Sequence, residues 1–145
     1  MSPATVSIPG GSARWVWDCR FAVGAKAAKP EAQVICLHGD GSFGQNAMEL
    51  DTAVRHKLPL LCVISLNGGW TADPEGNKPG RYLGYTRYDI MAHGLGCHGE
   101  YVEEPEDIRP ALERAQKKVD DGMVGSSTSR PTIAPAPRRS ASRTT

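Results

Sequence analysis

The run of residues 59–66, Pro-Leu-Leu-Cys-Val-Ile-Ser-Leu, is the feature that most restricts how this chain can fold. It is almost continuously apolar. A strand that faces water on one side alternates apolar and polar residues, whereas a strand covered on both faces does not. The run therefore predicts a strand buried between two layers of helices, as in a parallel sheet.

The segments around this run alternate between helical and strand-like patterns. Helices are predicted for residues 21–28, 46–56, 89–95 and 105–119, and further strands for residues 33–38 and 99–102. Such alternation predicts an α/β fold in which a parallel sheet is flanked by helices. The last helix is the clearest, since acidic residues lie at its start and Lys117 and Lys118 at its end, as the helix dipole favours.

Two glycine-containing motifs follow two of the predicted strands. Residues 39–42, Gly-Asp-Gly-Ser, open a predicted turn over 39–44, and residues 67–69 are Asn-Gly-Gly. If the strands are neighbours, Asp40 and Asn67 meet at the carboxyl edge of the sheet, where open α/β folds bind ligands. Glycine N–H groups before a helix suit a phosphate. A carboxylate, an amide oxygen and a main-chain carbonyl suit Mg²⁺ that takes its other ligands from a diphosphate.

These motifs resemble the signature of thiamine diphosphate-dependent enzymes, in which Gly-Asp-Gly at 39–41 is followed, after twenty-five residues, by Asn67. The residues between them are similar to the branch that contains acetolactate synthase, benzaldehyde lyase, oxalyl-CoA decarboxylase and 2-hydroxyacyl-CoA lyase. The resemblance covers about residues 21–122. Many members have two consecutive asparagines, and here Leu66 stands at the first of these positions.

The resemblance implies a cofactor site for thiamine diphosphate and Mg²⁺. Asp40, Asn67 and the main-chain oxygen of Gly69 would hold Mg²⁺, while Gly41 and Ser42 would contact the diphosphate. The full set of predicted cofactor-binding residues is Gly39, Asp40, Gly41, Ser42, Asn67, Gly68 and Gly69.

The resemblance also implies a reaction and a domain without a counterpart in this chain. Family members cleave or form a carbon–carbon bond beside a carbonyl or 2-hydroxyacyl group, as lyases, decarboxylases or synthases. They are homo-oligomers that hold the cofactor between two subunits, and a glutamate from an N-terminal domain contacts its aminopyrimidine ring. We find no counterpart of that domain in this chain. We therefore expect a thiamine diphosphate-binding domain that is incomplete at both ends, has no catalytic residue of its own and is inactive alone.

Two other functions stay open at this point. The chain could be a non-catalytic module that binds Mg²⁺–diphosphate or docks onto a homologue. It could instead be a non-functional pseudogene product, unstable because a sheet that has lost its last strand exposes an edge.

The two ends of the chain differ in amino-acid composition from the segment in which helical and strand-like patterns alternate. We predict an aberrant segment over 1–20, the cofactor-binding domain over 21–124 and a disordered tail over 125–145, whose Ser, Thr, Pro and Arg residues cannot form a core. If the codons for this segment are read out of frame, two of the shifted codons, which span codon junctions within residues 15–18, must encode glycine. The next shifted codon must encode leucine. This reading restores a glycine-rich stretch that is typical of the family. Residues 125–137 can likewise read as a final strand. We therefore predict that both ends are frameshifted, which sequencing the DNA would test.

Composition excludes several classes of protein. A net charge of +1, with 39% hydrophobic and 23% charged residues, is ordinary for a soluble globular domain. Nothing predicts binding to nucleic acid or a membrane, and without a signal peptide we expect a cytoplasmic protein whose partner is a small-molecule cofactor. Cys36 and Cys62 lie in apolar runs, which favours buried thiols over disulfides or a metal site.

A few other residues invite a functional interpretation. His93, Cys97 and His98 could suggest a metal cluster, but the glycines between them break a regular helix, so we interpret them as incidental. His38 could approach the diphosphate, and Trp70 could line a substrate pocket. For both residues the alternative is simple packing.

Overall fold

The structure, a computed structural model, describes residues 18–70 and 79–130. Within these residues helices and strands alternate, as an α/β fold requires. The elements in chain order are α1 (Asp18–Ala28), β1 (Ile35–Gly39), α2 (Asp40–Asn46), α3 (Glu49–Arg55), β2 (Leu61–Ser65), α4 (Tyr88–Gly94), β3 (His98–Val102), α5 (Pro105–Asp120) and β4 (Gly125–Ser129).

The four strands form one parallel sheet in the order β1-β2-β4-β3. β2 is an interior strand, and its register with β1 sets Cys62 beside Cys36 and Ser65 beside Gly39. Most of residues 59–66 are buried, as the apolar run predicted. β1 and β2 also end at the same edge of the sheet, so the segments that follow them begin side by side.

Helices cover both faces of the sheet, which confirms the predicted fold class. Residues of α1 to α4 pack in one cluster with Cys62, whereas α5 packs against Leu61 on the opposite face. Because α5 contacts β2, β3 and β4, it leaves part of β1 uncovered by the described residues. Ile35 and Leu37 are consequently 47% and 70% exposed.

The strand β4 corrects the prediction that the tail from residue 125 onwards is disordered. It lies between β2 and β3, and its residues Ser126 and Thr128 are fully buried. Gly-Ser-Ser-Thr-Ser lacks the apolar side chains that mark an interior strand, so its composition predicted a tail. Parallel pairing of its main chain with strands on both sides places it inside the sheet. The expectation of a sheet without its last strand was therefore wrong.

The helices differ from the prediction in two places. α2 begins at Asp40, directly after β1, so the turn predicted over 39–44 is wrong. The ring of Phe43 is fully buried and meets the ring of Tyr88 edge-on, with centroids 4.9 Å apart. This packing outweighs the low helix propensity of the glycines in α2. A short break between α2 and α3 divides the single helix predicted over 46–56.

α5 agrees with the prediction in position and charge pattern. It begins at Pro105, carries acidic residues in its first turn and lysines in its last, and buries Ala115 and Val119. Gly125 allows α5 to lie close to the sheet, since a Cβ atom there would be 3.0 Å from Cγ2 of Val119 and 3.1 Å from the carbonyl oxygen of Ala115.

The predicted ends of the chain fall largely outside the described residues. Residues 1–17 lie outside them, and residues 18–20 form the start of α1 rather than part of a separate segment. Residues 131–145 also lie outside them, as do residues 71–78, which belong to the long loop that the glycines and prolines of residues 67–88 predict. Among the helices within 18–70 and 79–130, none is both long and apolar enough to cross a membrane.

Candidate cofactor site

The ends of β1 and β2 come together through Asp40. Its Oδ2 atom accepts a hydrogen bond of 2.7 Å from the main-chain N–H of Gly68, and its Oδ1 atom accepts one of 2.9 Å from the N–H of Gly41. The side chain is only 2% exposed. The two motifs that the sequence singled out thus meet at the carboxyl edge of the sheet, as their positions after neighbouring strands predicted.

The environment of Asp40 acts on its charge in two opposite ways. Burial raises the pKa of Asp40 above its ordinary value, while hydrogen bonds from the main-chain N–H groups of Gly41 and Gly68 lower it. Burial is the larger effect. A cation beside this carboxylate would therefore compensate a charge that is costly to bury.

The segment after β2 turns sharply at the predicted ligands. Asn67 is exposed, and its Oδ1 atom accepts a hydrogen bond of 3.1 Å from the N–H of Gly69, the arrangement of an Asx turn. Gly69 lies against a neighbouring segment, where a Cβ atom would be 2.7 Å from the carbonyl oxygen of Arg81. Asn67 and Gly69 are therefore held in one compact turn that the Asp40–Gly68 hydrogen bond ties to β1.

Trp70 packs against the first motif. A Cβ atom on Gly41 would lie 3.0 Å from Cδ2 and Cε3 of the Trp70 indole, so the ring covers the Cα atom of this glycine. The sequence left two interpretations of Trp70 open, the lining of a substrate pocket and simple packing. The contact of its ring with Gly41 supports packing. Gly41 is therefore a position where a side chain would displace Trp70.

Ser42 and His38 form a second connection near the same motif. The hydroxyl of Ser42 donates to the carbonyl oxygen of Gly39 at 3.0 Å and lies 3.4 Å from Nδ1 of His38. The other ring nitrogen of His38, Nε2, faces sulfur: it is 2.8 Å from Sγ of Cys36 and 3.2 Å from Sγ of Cys19. His38 is 3% exposed and points with these thiols into the core.

The cluster of Cys19, Cys36, Cys62 and His38 is the feature that sequence reasoning missed. All four cysteines of the chain are buried thiols, as predicted. Hydrogen bonds of Cys19 with the thiols of Cys36 and Cys62, and with the ring of His38, lower the pKa of Cys19 below its ordinary value. The spacing Cys36-x-His38 was a usable signal, because alternate residues of a strand share one face. The contributions from α1 and β2 depend on packing that the sequence does not reveal.

The other histidine and cysteine candidates do not gather into a metal site. The rings of His93 and His98 are 6.2 Å apart, and Nε2 of His98 lies 2.9 Å from a carboxylate oxygen of Glu100. Burial raises the pKa of Cys97 to about 11. Among the described residues, only Cys19, Cys36 and His38 bring three metal-ligating atoms within 4.8 Å of one another.

Comparisons with known proteins agree with this fold. Residues 5–124 match the family described as thiamine pyrophosphate enzyme, C-terminal TPP binding domain. The chain therefore belongs to the family of thiamine pyrophosphate-binding C-terminal domains.

The similar proteins are enzymes that contain this domain. The acetolactate synthase large subunit IlvG of Mycobacterium tuberculosis is 43% identical over 104 residues, which cover 66% of this chain and 19% of the relative. The 2-hydroxyacyl-CoA lyase 2 of Homo sapiens is 38% identical over 110 residues, which cover 70% of this chain and 17% of the relative.

A solved structure supports the same assignment. The thiamine diphosphate-dependent 4-hydroxybenzoylformate decarboxylase of Rhodococcus jostii RHA1 is 29% identical, with a TM-score of 0.63, over 75% of this chain and 21% of that one. The chain thus spans about a fifth of the length of the relatives that it matches. It corresponds to the cofactor-binding domain of acetolactate synthase-like and 2-hydroxyacyl-CoA lyase-like enzymes.

Proposed function

We propose that this chain binds Mg²⁺ and the diphosphate of thiamine diphosphate at the edge formed by the ends of β1 and β2. The hydrogen bond between Asp40 and Gly68 carries the proposal, because it brings the two motifs into one site. Asp40, Asn67 and the carbonyl oxygen of Gly69 hold the metal. The residues that shape the site and contact the diphosphate are Gly39, Gly41, Ser42 and Gly68.

The chemistry of these donors supports Mg²⁺. A carboxylate, an amide oxygen and a main-chain carbonyl oxygen form a set of hard ligands with a single negative charge. Such a set is too small for an all-protein cage and suits a metal that completes its shell with phosphate oxygens and water. The buried carboxylate of Asp40 also gains a compensating positive charge.

Trp70 lies on the first motif, beside the residues proposed to contact the diphosphate. Its indole covers Gly41, whose N–H is engaged by Oδ1 of Asp40. Ser42 offers its hydroxyl to the diphosphate, and in the described structure this hydroxyl donates to the carbonyl oxygen of Gly39.

The reaction of the complete enzyme is the cleavage or formation of a carbon–carbon bond beside a carbonyl or 2-hydroxyacyl group. The names of the relatives, an acetolactate synthase and a 2-hydroxyacyl-CoA lyase, support this class. When bound, thiamine diphosphate supplies the electron sink, and the protein supplies binding and orientation. The residues of this chain bind and orient but carry no catalytic group, so we expect the 145-residue polypeptide alone to be inactive. The buried thiols support a reducing, cytoplasmic location.

Calorimetry tests the proposed binding. Wild-type protein should bind thiamine diphosphate in the presence of Mg²⁺ and lose most of this affinity in EDTA. Substitution of a residue that supports a metal ligand weakens metal binding by roughly 10- to 100-fold. Asp40→Ala removes a proposed ligand itself, so it should weaken binding by more than this. Asp51→Ala is the matched control, because Asp51 is a carboxylate on α3 that pairs with Arg55 instead. Equal affinity of Asp40→Ala and wild type would contradict the proposal.

A turnover assay tests the proposed inactivity of the chain alone. Purified polypeptide with thiamine diphosphate and Mg²⁺ should leave 2-oxo acids and 2-hydroxyacyl-CoA substrates unchanged. Robust cofactor-dependent turnover would show that the chain has the catalytic groups that we do not assign to it.

A further inference from the structure

The chain contains a second candidate metal site whose ligands are soft, in contrast to the oxygen ligands around Asp40. Cys19 lies on α1, Cys36 and His38 lie on β1, and all three side chains are buried. Their ligand atoms come within 4.8 Å of one another. Thiolate and imidazole are the ligands that select zinc in proteins.

We propose that Cys19, Cys36 and His38 bind one Zn²⁺ ion through their Sγ, Sγ and Nε2 atoms, with Cys62 as the fourth ligand. Three cysteines and one histidine are a common ligand set for structural zinc. The site fastens α1 to β1 and β2 inside the core.

The distances fit a tetrahedral zinc ion after a small expansion. Zn–S and Zn–N bond lengths place sulfur and nitrogen ligands roughly 3.6 Å apart. In the structure Nε2 of His38 is 2.8 Å from Sγ of Cys36 and 3.2 Å from Sγ of Cys19. The ligands therefore need to separate by less than about 1 Å to admit the ion.

Cys62 is placed to close the fourth position. It is paired with Cys36 across the β1–β2 register and is fully buried. Its thiol interacts with those of both Cys19 and Cys36. The Sγ atom of Cys62 is not among the ligand atoms that all lie within 4.8 Å of one another, so Cys62 joins the shell through a change of its side-chain rotamer.

The surroundings of His38 favour Nε2 as the metal ligand. Nδ1 lies 3.4 Å from the hydroxyl of Ser42, which donates its own proton to the carbonyl oxygen of Gly39. The Ser42 oxygen is thus left to accept from Nδ1–H. A histidine that binds a metal typically donates its other ring N–H to such an acceptor, which fixes the tautomer. Zn²⁺ binding displaces the protons of the thiols, so its uptake releases protons to solvent.

Cobalt and zinc titrations of the reduced, metal-free full chain test this site. We expect one Co²⁺ per chain with a thiolate-to-cobalt charge-transfer band, which Zn²⁺ removes by displacement. Binding at the oxygen ligands around Asp40 would not give this band. Cys36→Ala and His38→Gln should each weaken metal binding by at least about 100-fold, beyond the usual effect of changes behind the ligands. Cys97→Ala, which removes an equally buried thiol outside the cluster, should retain it.

Protection of thiols in the wild-type chain gives a test that needs no variant. Zn²⁺ should slow alkylation of Cys19, Cys36 and Cys62, as read by mass spectrometry of their peptides, more than alkylation of Cys97. Absence of a charge-transfer band in the wild type, or equal protection of Cys97, would overturn the proposal. Unchanged metal affinity in folded Cys36→Ala would overturn it as well.

Discussion

Asp40 and Gly68 are joined by a hydrogen bond of 2.7 Å between a buried carboxylate and a main-chain N–H, across the ends of two neighbouring strands. Gly68 presents this N–H from a left-handed conformation, with φ of +81°. An ideal Cβ atom there would lie 3.1 Å from the ring of Tyr85. Because residues with a side chain rarely adopt this conformation, the contact between the two motifs depends on a glycine.

The first prediction concerns Gly68→Ala. The change should cost about 1–2 kcal/mol of unfolding free energy for the left-handed backbone and should also weaken binding of Mg²⁺–thiamine diphosphate. Gly122→Ala is the matched control, since Gly122 has φ of +89° with open space around it. Urea unfolding should show a loss in both variants, whereas calorimetry should show weaker binding only in Gly68→Ala. Unchanged cofactor affinity in Gly68→Ala would show that the turn at Gly68 does not contribute to the cofactor site.

The second prediction concerns the polar interior strand β4. Thr128 is fully buried, and its hydroxyl has no hydrogen-bond partner in the described structure. Thr128→Val keeps the shape of the side chain and removes the unsatisfied group, so it should stabilise the fold by about 1–3 kcal/mol. Thr52→Val, at a half-buried position on α3, should give no comparable gain. A thermal melt measures both. Destabilisation by Thr128→Val would mean that the hydroxyl is satisfied after all.

β4 also shows where sequence reasoning fails for this fold. An interior strand of a parallel sheet is expected to be apolar, and Gly-Ser-Ser-Thr-Ser gives the opposite signal. Only its neighbours determine its position, because β2 and β3 supply hydrogen-bond partners on both sides. The run 59–66 and the amphipathic α5 were predictable, because their patterns match their burial along the full length of each element.

The candidate site likewise has a part that the sequence predicted and a part that it did not. The proximity of Asp40 to the turn over residues 67–69 was predictable, because Asp40 directly follows β1, the turn begins two residues after the end of β2 and the two strands are adjacent. The packing of Trp70 on Gly41 was not, since it depends on how the turn after β2 folds back. The thiol cluster was likewise hidden, because the sequence does not reveal that β1 and β2 align Cys36 with Cys62 or that α1 brings Cys19 above them.

The third prediction concerns Pro110, which lies within α5 and cannot donate a main-chain hydrogen bond to the preceding turn. Its side chain is exposed, so its replacement removes no core contact. Pro110→Ala should restore the missing hydrogen bond and stabilise the protein by up to about 3 kcal/mol. Chemical denaturation measures the gain. Pro105→Ala is the control, because a proline in the first turn blocks no helical hydrogen bond, and it should change stability little. Equal effects of the two changes would contradict this account.

The fourth prediction concerns the ion pair between Glu100 on β3 and Arg114 on α5. Nε and one terminal nitrogen of Arg114 donate to the two carboxylate oxygens at 3.0 and 2.8 Å, and these bonds hold the pKa of Glu100 below its ordinary value of 4.5. Arg114 is 59% exposed, so solvent screening limits the contribution of the pair to about 1 kcal/mol or less. Glu100→Gln should lose this amount at neutral pH.

The pH dependence of that loss follows from the direction of the pKa shift. As pH falls, the unfolded chain takes up a proton on Glu100 before the folded chain does, so the stabilisation is fully present above about pH 4.5 and disappears as pH falls through the folded pKa. The stability difference between wild type and Glu100→Gln should therefore shrink in acid, as pH falls through the folded pKa of Glu100. Glu113→Gln, a change at an exposed position on α5, should show neither effect. Urea unfolding at a series of pH values measures the difference, and one that persists unchanged below the folded pKa would show that Glu100 stabilises the protein by packing rather than by charge.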